Sequence, residues 1–485
     1  MDKQSIFEIY PAYEASIGIE VHVQLSTKSK IFCCCPNQIT KHPNTNICPI
    51  CAGYPGVLPV LNKEVVDCAL LMALSTHSKI AKQSTFARKH YFYPDLPKNY
   101  QITQDDKPIC VEGIVPIHLA DGSIKNIRLT RIHMEEDAGK NIHSTTTNES
   151  FVDLNRCGTP LLEIVSYPDI SNADEARAYL KTLRNIVLHL AIGSGNMEDG
   201  AFRADTNISV RKKGEKKLGT KIELKNINSF KFIADAIDYE IERQITTLEA
   251  GNKITQETRL WDTKDKKTIV MRSKEEAADY RYFQEPDLPL LEIDQLWIDR
   301  LKNRLPELPE QKFERFINIC NLSPAEATIL VDDISLARYF DEAYNIHQSK
   351  NIINWILRNV MAYLKENTMP IEQLKVTPNY LAELVNMIDT NKINTRIAQE
   401  VFEECTKTGK NPILIVKEKG LEQIESIDEL EQIVKNVITQ HQEQVQAYKN
   451  GNERLFGFFV GQAMKATNGK ANPQTIQELL KKHLI

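Results

Sequence analysis

The sequence predicts an α+β protein whose β-rich first region runs to about residue 295 and whose remainder is almost wholly helical. Three observations carry this reading. Ser16 to Leu25 alternates apolar Ile17, Ile19, Val21 and Val23 with Glu20, His22 and Gln24, the period-two pattern of a strand with one buried face. Phe202, Ala204, Ile208 and Val210 alternate with Arg203, Asp205, Asn207 and Ser209, and a basic turn at Gly214 leads to Ile222 and Leu224 between Lys221, Glu223 and Lys225, which predicts a hairpin. Beyond a proline-punctuated stretch from Asp287 to Pro309, the signals change to helix caps and helical spacing.

The β-rich region also holds a pair of predicted amphipathic helices. The first spans about Ala173 to Leu190 behind an Asn172 to Glu175 cap pattern, and the second follows Ser229 with Ile233, Ile237, Ile241 and Ile245 on one stripe. Both read as packing helices. After the boundary, Ser323-Pro324-Ala325-Glu326 is a capping box with proline at the first helical position, where its missing N–H costs nothing. Trp355, Leu357, Val360 and Leu364 mark another helix. A last unit starts near Asn411-Pro412, with a cap at Ser426 to Glu429, a stop at Asn450-Gly451 and a restart at Asn472-Pro473. From Lys417 to Tyr448 there are three cations and seven acids; from Lys449 to Ile485 there are six cations and two acids. The basic half suits a phosphate backbone or simply solvated helix faces. At roughly 150 residues per domain the 485-residue chain holds three, bounded as 1–295, 296–410 and 411–485.

Composition narrows the function classes. A net charge of −5 excludes coating nucleic acid by bulk charge, so any polyanion contact is local. The longest apolar runs fall far short of the roughly 18 residues of a membrane span, and the N-terminal residues resemble neither a secretory signal nor a transit peptide. A cytoplasmic protein without membrane association is expected. Ten cysteines in that compartment point to metal ligation plus core thiols rather than disulfides.

Cys33, Cys35, Cys48 and Cys51 form C-x-C-x12-C-x2-C, a spacing that brings four thiolates to one tetrahedral zinc ion in a module of about residues 30–55. Proline presets the C-P-x-C turn and Gly53 permits a positive φ after it. A redox C-x-x-C is disfavoured, because Gly53-Tyr54-Pro55-Gly56 breaks the helix such a motif needs. Four thiolates leave no open position for water, so the zinc reads as structural and not as that of a hydrolase. Cys34 is an alternative ligand at this point. Cys68, Cys110, Cys157, Cys320 and Cys405 read as core thiols.

Glu20 and His22 share a strand face, where they suit a hard cation or an ordinary solvated surface. Glu163 stands alone in the apolar run Leu161 to Val165, and a carboxylate there must be paired, protonated or metal-bound. Asp205 adds a further acid beside Arg203. Oxygen ligands of this kind suit Mg²⁺ bound together with phosphates. Arg211 to Lys231 holds eight Lys/Arg and two Glu; its turn lysines read as a hairpin tip, Lys221 and Lys225 as phosphate ligands. The sequence contains no Walker-type phosphate loop, no G-x-S-x-G and no H-E-x-x-H.

GIEVHVQL, FCCCP with CPICAGYPGVLPVLN, RKHYFYPDLPKNYQITQ, RIHMEEDAGK, DLNRCGTPLLEIVS, FRADTNISV, KIELKNINSFK, DYRYFQEPDLPLL and GFFVGQAMKATNGKANP, in this order, resemble the B-subunit family of aspartyl/glutamyl-tRNA amidotransferases over nearly the whole chain. The resemblance implies a β-rich catalytic cradle, a helical domain and a small YqeY-like tail that grips tRNA. It implies ATP- and Mg²⁺-dependent phosphorylation of the side-chain carboxylate on Glu-tRNA(Gln) or Asp-tRNA(Asn), followed by attack of ammonia. That ammonia would come from glutamine hydrolysed by an amidase-fold A subunit, tethered by a small C subunit in a heterotrimer. It assigns Mg²⁺ to Glu20, His22, Glu136, Glu163 and Asp205, and zinc to Cys33, Cys35, Cys48 and Cys51. Arg203, Lys221 and Lys225 are left to position phosphate or carboxylate and are the candidates for contacting ATP. Gln284 departs from the family's usual proline, and Cys34 enlarges the first thiol pair. A non-catalytic zinc-containing RNA-binding protein is the alternative reading.

Overall fold

The computed structural model describes all residues except 1–5, 39, 120, 145, 274–278, 422–426, 468–470 and 485. The chain forms two compact units, Met1–Lys312 and Phe313–Ile485. The first is built on a ten-stranded sheet and the second on helices, the α+β division read from the sequence.

The strand Tyr13–Gln24 lies at the centre of the sheet. It pairs antiparallel on one side with Pro160–Ser166, which in turn pairs with Ile124–Glu136, and on the other with Phe202–Lys212. Phe202–Lys212 then pairs antiparallel with Ile222–Lys225, the hairpin that the alternation predicts. Ile17, Ile19, Val21 and Val23 are buried, as are Leu162 and Ile164 and, on the neighbouring strands, Ile132, Met134, Ala204 and Ile208. They join one apolar cluster with Leu180, Leu183, Ile237 and Ile241 of the two predicted helices, found at Ala173–His189 and Phe230–Glu249. Each buried Leu, Ile or Val stabilises the layer by roughly 1.5–3 kcal/mol. The other face carries Glu20, His22, Glu163, Arg203 and Asp205, with Leu161 and Val165 among them.

A helix at Lys63–Ser75 has no counterpart in the sequence reading. Val65, Val66, Ala69, Leu70, Met72 and Ala73 are all buried, so the segment is apolar on most sides and lacks the one-sided stripe that betrays a surface helix. Its start is nonetheless marked: the Asn62 side chain accepts from Glu64 N.

In the second unit the Ser323 capping box forms with both of its reciprocal hydrogen bonds. The helix expected around Trp355 is interrupted by a π-helical turn at Ile356–Val360, which keeps Trp355 and Val360 both buried at a spacing of five residues that an α-helix would not align. Asn411 caps Pro412–Glu418, and Ile415 and Val416 join the apolar cluster of the preceding helices. A separate cluster gathers Leu430, Val434, Phe459, Ile476 and Leu480. The predicted cap at Ser426 lies outside the described residues.

A carboxylate and histidine face on the central sheet

Strand parity decides which side chains share the polar face. Cross-strand register places Glu163 and Arg203 opposite His22 on its two sides, His133 opposite Glu163, and Asp205 opposite Glu20. Residues far apart in sequence thus form two short rows. His22 Nε2 lies 3.2 Å from Glu135 Oε1, 3.4 Å from Glu163 Oε2 and 3.7 Å from Glu20 Oε1. Ligand atoms of Glu20, His22 and Glu163 all fall within 4.8 Å of one another.

Glu163 is buried, and His133 Nε2 stands 2.9 Å from its Oε1. Burial alone would raise its pKa, but His133 and then His22 more than reverse that and hold the carboxylate well below its usual range. Burial likewise pulls His22 down, and its Glu135 and Glu163 neighbours lift it well above the ordinary imidazole value. Glu20 is pushed up to about 6, first by burial and then by Glu163 and Asp205. Three carboxylates therefore crowd one imidazole, and like charge is concentrated where a divalent cation would offset it. The donor set fits Mg²⁺, which takes carboxylate oxygens and retains water.

The resemblance assigns Glu136 to this group, and the geometry places it elsewhere. Glu136 shares the parity of Ile132 and Met134 and points to the opposite side, where Lys98 Nζ pairs with it and Ile102 N donates to its Oε1 at 2.9 Å. Glu135 takes the position facing His22, and Thr103 Oγ1 donates to its Oε2 at 3.1 Å. The sequence carries the signal for this: the apolar alternation of Ile132 and Met134 assigns odd positions to the polar face.

Cations ring the acids. Lys225 Nζ donates to Asp205 Oδ2 at 2.7 Å and lies 3.3 Å from Glu223 Oε1. Arg203 Nη2 donates to Asp137 Oδ2 at 3.1 Å, while its Nε has no hydrogen-bond partner among the described residues. Asp137, which sequence reasoning does not single out, also accepts from Gln24 Nε2 at 2.8 Å. Lys221 is exposed and lines a cavity of about 210 Å³ with Glu20, Gly18, Asn207 and Ser209. Lys89 is another residue that sequence reasoning misses: it is held charged by Glu135 and Glu163 against the opposing effect of burial.

The four cysteines form a second centre. Cys51 Sγ lies 3.6 Å from Cys33 Sγ, 3.6 Å from Cys35 Sγ and 3.5 Å from Cys48 Sγ. These separations are far longer than a disulfide bond and close to the edge of a thiolate tetrahedron, about 3.8 Å for metal–sulfur bonds of about 2.3 Å. The set fits zinc. Gly53 adopts φ +67°, and Cys48 N donates to Cys51 Sγ at 3.3 Å. The Cys51 thiol is lowered to about 4, first by its Cys33 neighbour and further by the Lys30 ammonium, whose Nζ lies 3.7 Å away. Cys34 is exposed and outside the group, and the other five cysteines are buried.

Comparison with known proteins agrees with this architecture. The GatB/GatE catalytic domain family matches residues 15–299, and the GatB domain family matches 338–484. The chain belongs to the GatB family. Its GatB relatives include proteins named as the B subunit of aspartyl/glutamyl-tRNA(Asn/Gln) amidotransferase from Persephonella marina, 49% identical over 97% of this chain and 99% of the relative, and from Geotalea daltonii, 50% identical over 97% and 99%. The Chlorobium phaeobacteroides protein of the same name is 48% identical over 98% and 99%. The stretch matched by the GatB/GatE catalytic domain contains both the carboxylate face and the four-thiolate module.

Proposed function

We propose that this chain is the B subunit of an aspartyl/glutamyl-tRNA amidotransferase, a ligase, and that its sheet face activates the side-chain carboxylate of Glu-tRNA(Gln) or Asp-tRNA(Asn) with ATP. The observation that carries this is the convergence of Glu20, His22, Glu135 and Glu163 with Asp205, Arg203 and Lys225 on one polar face. A carboxylate is a poor electrophile toward ammonia, and phosphorylating it supplies a leaving group. The protein's task is then alignment and charge compensation.

In this reading Glu20, Glu135 and Glu163, with Asp205 behind them, hold Mg²⁺, and His22 joins them when the cation displaces its proton. When bound, the ion offsets negative charge on the transferring phosphoryl group. Arg203, its orientation fixed by Asp137, presents the exposed part of its guanidinium group to an incoming oxyanion. Lys225, held by Asp205 and Glu223, and Lys221 at the adjoining cavity are the candidates for the ATP phosphates. His133 keeps Glu163 ionised. The four thiolates bind zinc as a structural brace.

The wider assignment follows the family: a catalytic cradle over 1–295, a helical domain over 296–410 and a YqeY-like tail over 411–485 that contacts tRNA, assembled in the cytoplasm with an amidase-family A subunit and a small C subunit. No helix among the described residues is long and apolar enough to cross a membrane. The test is Glu163→Gln in the assembled complex. Amidation of charged tRNA should be abolished while tRNA binding and glutamine hydrolysis persist; retained amidation overturns the role. A protein that only binds RNA would show no ATP consumption stimulated by misacylated tRNA.

A further inference from the structure

A row of aromatic rings outside the carboxylate face is unused by the chemistry above. It comes from two segments distant in sequence, Tyr91 to Tyr93 and Tyr280 to Phe283, brought together by pairing of Phe283–Gln284 with Ala87–His90. Ring centroids step from Tyr93 to Tyr91 at 6.1 Å, to Tyr280 at 6.1 Å and to Tyr282 at 6.0 Å, each edge to face. The ends of the row are open to solvent, Tyr93 at 60% and Tyr282 at 42% exposed, and Phe92, next to Tyr93 in the chain, is 78% exposed.

This exposure does not come from a loose loop. Asp95 O accepts from Gly139 N at 2.8 Å, and Leu96 N and Asn99 N both donate within the turn at 3.0 Å. A pinned loop that keeps large rings in water has a use for them. The row also borders the carboxylate face. Lys89 Nζ stands 4.9 Å from the centre of the Tyr280 ring, and the next strand of the same small sheet, Tyr100–Thr103, carries the Thr103 hydroxyl bonded to Glu135. Cations nearby are largely compensated: Arg88 forms a two-pronged pair with Glu285 at 2.7 and 2.8 Å and also meets Asp287. The patch therefore offers ring faces more than net charge, the property that holds unpaired bases irrespective of bulk electrostatics.

We propose that Tyr93, backed by the tyrosine row, and the adjacent exposed Phe92 stack the unpaired 3′-terminal nucleotides of the aminoacyl-tRNA, so that the esterified amino acid enters the face beside Lys89. This rests on the proposed function and adds a positioning surface to it. The terminal ribose bears the amino acid, so an anchor for the last base on the small sheet whose Thr103 meets Glu135 sets where the side-chain carboxylate arrives.

The test uses the full complex with its partner subunits and tRNA carrying 2-aminopurine as its terminal base. Wild-type complex should quench the probe. Phe92→Ala combined with Tyr93→Ala should abolish the quench and raise KM for charged tRNA roughly tenfold or more, with little change in the salt dependence of binding. Tyr93→Phe and Phe92→Tyr, which keep the ring faces, should restore both. Binding of tRNA lacking its terminal nucleotides should be the same in all variants. An unchanged quench in the double alanine variant, with the wild type amidating normally, overturns the inference and leaves the proposed function standing. Loss of partner subunits with an unchanged terminal-base signal also overturns it and assigns the rings to an interface with a partner. A wild-type complex that quenches the probe yet fails to amidate any charged tRNA would instead refute the proposed function while supporting the stacking site.

Discussion

Exchanging the two adjacent acids one at a time separates the roles of the two sides of the sheet. Glu135 faces His22 at 3.2 Å, whereas Glu136 is turned away and pairs with Lys98. A carboxylate and a divalent cation about 4 Å apart at an effective dielectric constant of about 20 attract by about 8 kcal/mol, which sets the gross scale of what Glu135 contributes to a cation held at this face. Remaining carboxylates, water and the desolvation that a charged Glu135 costs offset most of that, so Glu135→Gln should weaken divalent-cation binding by about 2 kcal/mol, roughly 30-fold. Glu136→Gln should leave cation affinity nearly unchanged. It should instead lower folding stability by about 2–3 kcal/mol, below the 3–5 kcal/mol typical of breaking a buried pair, because Gln can still accept from Ile102 N. Mn²⁺ titration followed by electron paramagnetic resonance reads the first quantity and urea unfolding the second. If Glu136→Gln loses the cation and Glu135→Gln binds normally, the facing deduced from strand parity is wrong.

Further outcomes follow from the same geometry. Purified protein should carry one zinc ion per chain, and Cys48→Ser or Cys35→Ser should release it and lower thermal stability, whereas Cys34→Ser should match wild type by metal analysis and melting. Because Glu20 is raised to about 6 from its ordinary 4.5, the folded chain holds that proton more tightly than the unfolded one. Its stabilising effect on the metal-free protein is present below about pH 4.5 and lost as pH rises through about 6, and Mg²⁺ affinity should fall as pH drops below about 6, by up to about tenfold per unit; calorimetric titration across that range checks it. Gly219→Ala would drive a Cβ into Val210 O and should destabilise the hairpin by about 2 kcal/mol or more in urea unfolding. Ser323→Ala, which removes a capping box, should cost about 1 kcal/mol in the same assay.

Much of this architecture is legible in the sequence because the sheet is antiparallel around its centre and polar on one side. Period-two alternation assigns Glu20, His22, Arg203, Asp205, Lys221 and Lys225 to polar faces of their strands, and capping residues locate the helices at Ala173 and Pro324. The order of strands is not legible, since alternation says nothing about which strand lies beside which, and the pairing of His22 with both Glu163 and Arg203 emerges only from register. Lys63–Ser75 escapes because burial on most sides erases the helical stripe. Of the adjacent acids Glu135 and Glu136, the family resemblance points to one and strand parity to the other, and parity decides which way a side chain faces. Lys89 and the aromatic row lie in two stretches that carry the family resemblance, but nothing local to either shows that they meet, which comes from pairing with a strand far along the chain.

The antiparallel order of the sheet also bears on how the molecule comes into being. Tyr13–Gln24 lies between strands that begin at Pro160 and Phe202, so the earliest strand of the sheet core to leave the ribosome waits for neighbours synthesised far later. Until Phe202–Lys212 has emerged Glu20 lacks the strand that carries Asp205, and until Lys225 has emerged Asp205 has no ammonium beside it. Nascent chains of this topology must hold a strand of isoleucines and valines in reserve, and they are exposed to premature self-association for that interval. The polar face is therefore complete only once the strand Ile222–Lys225 has been added to its edge.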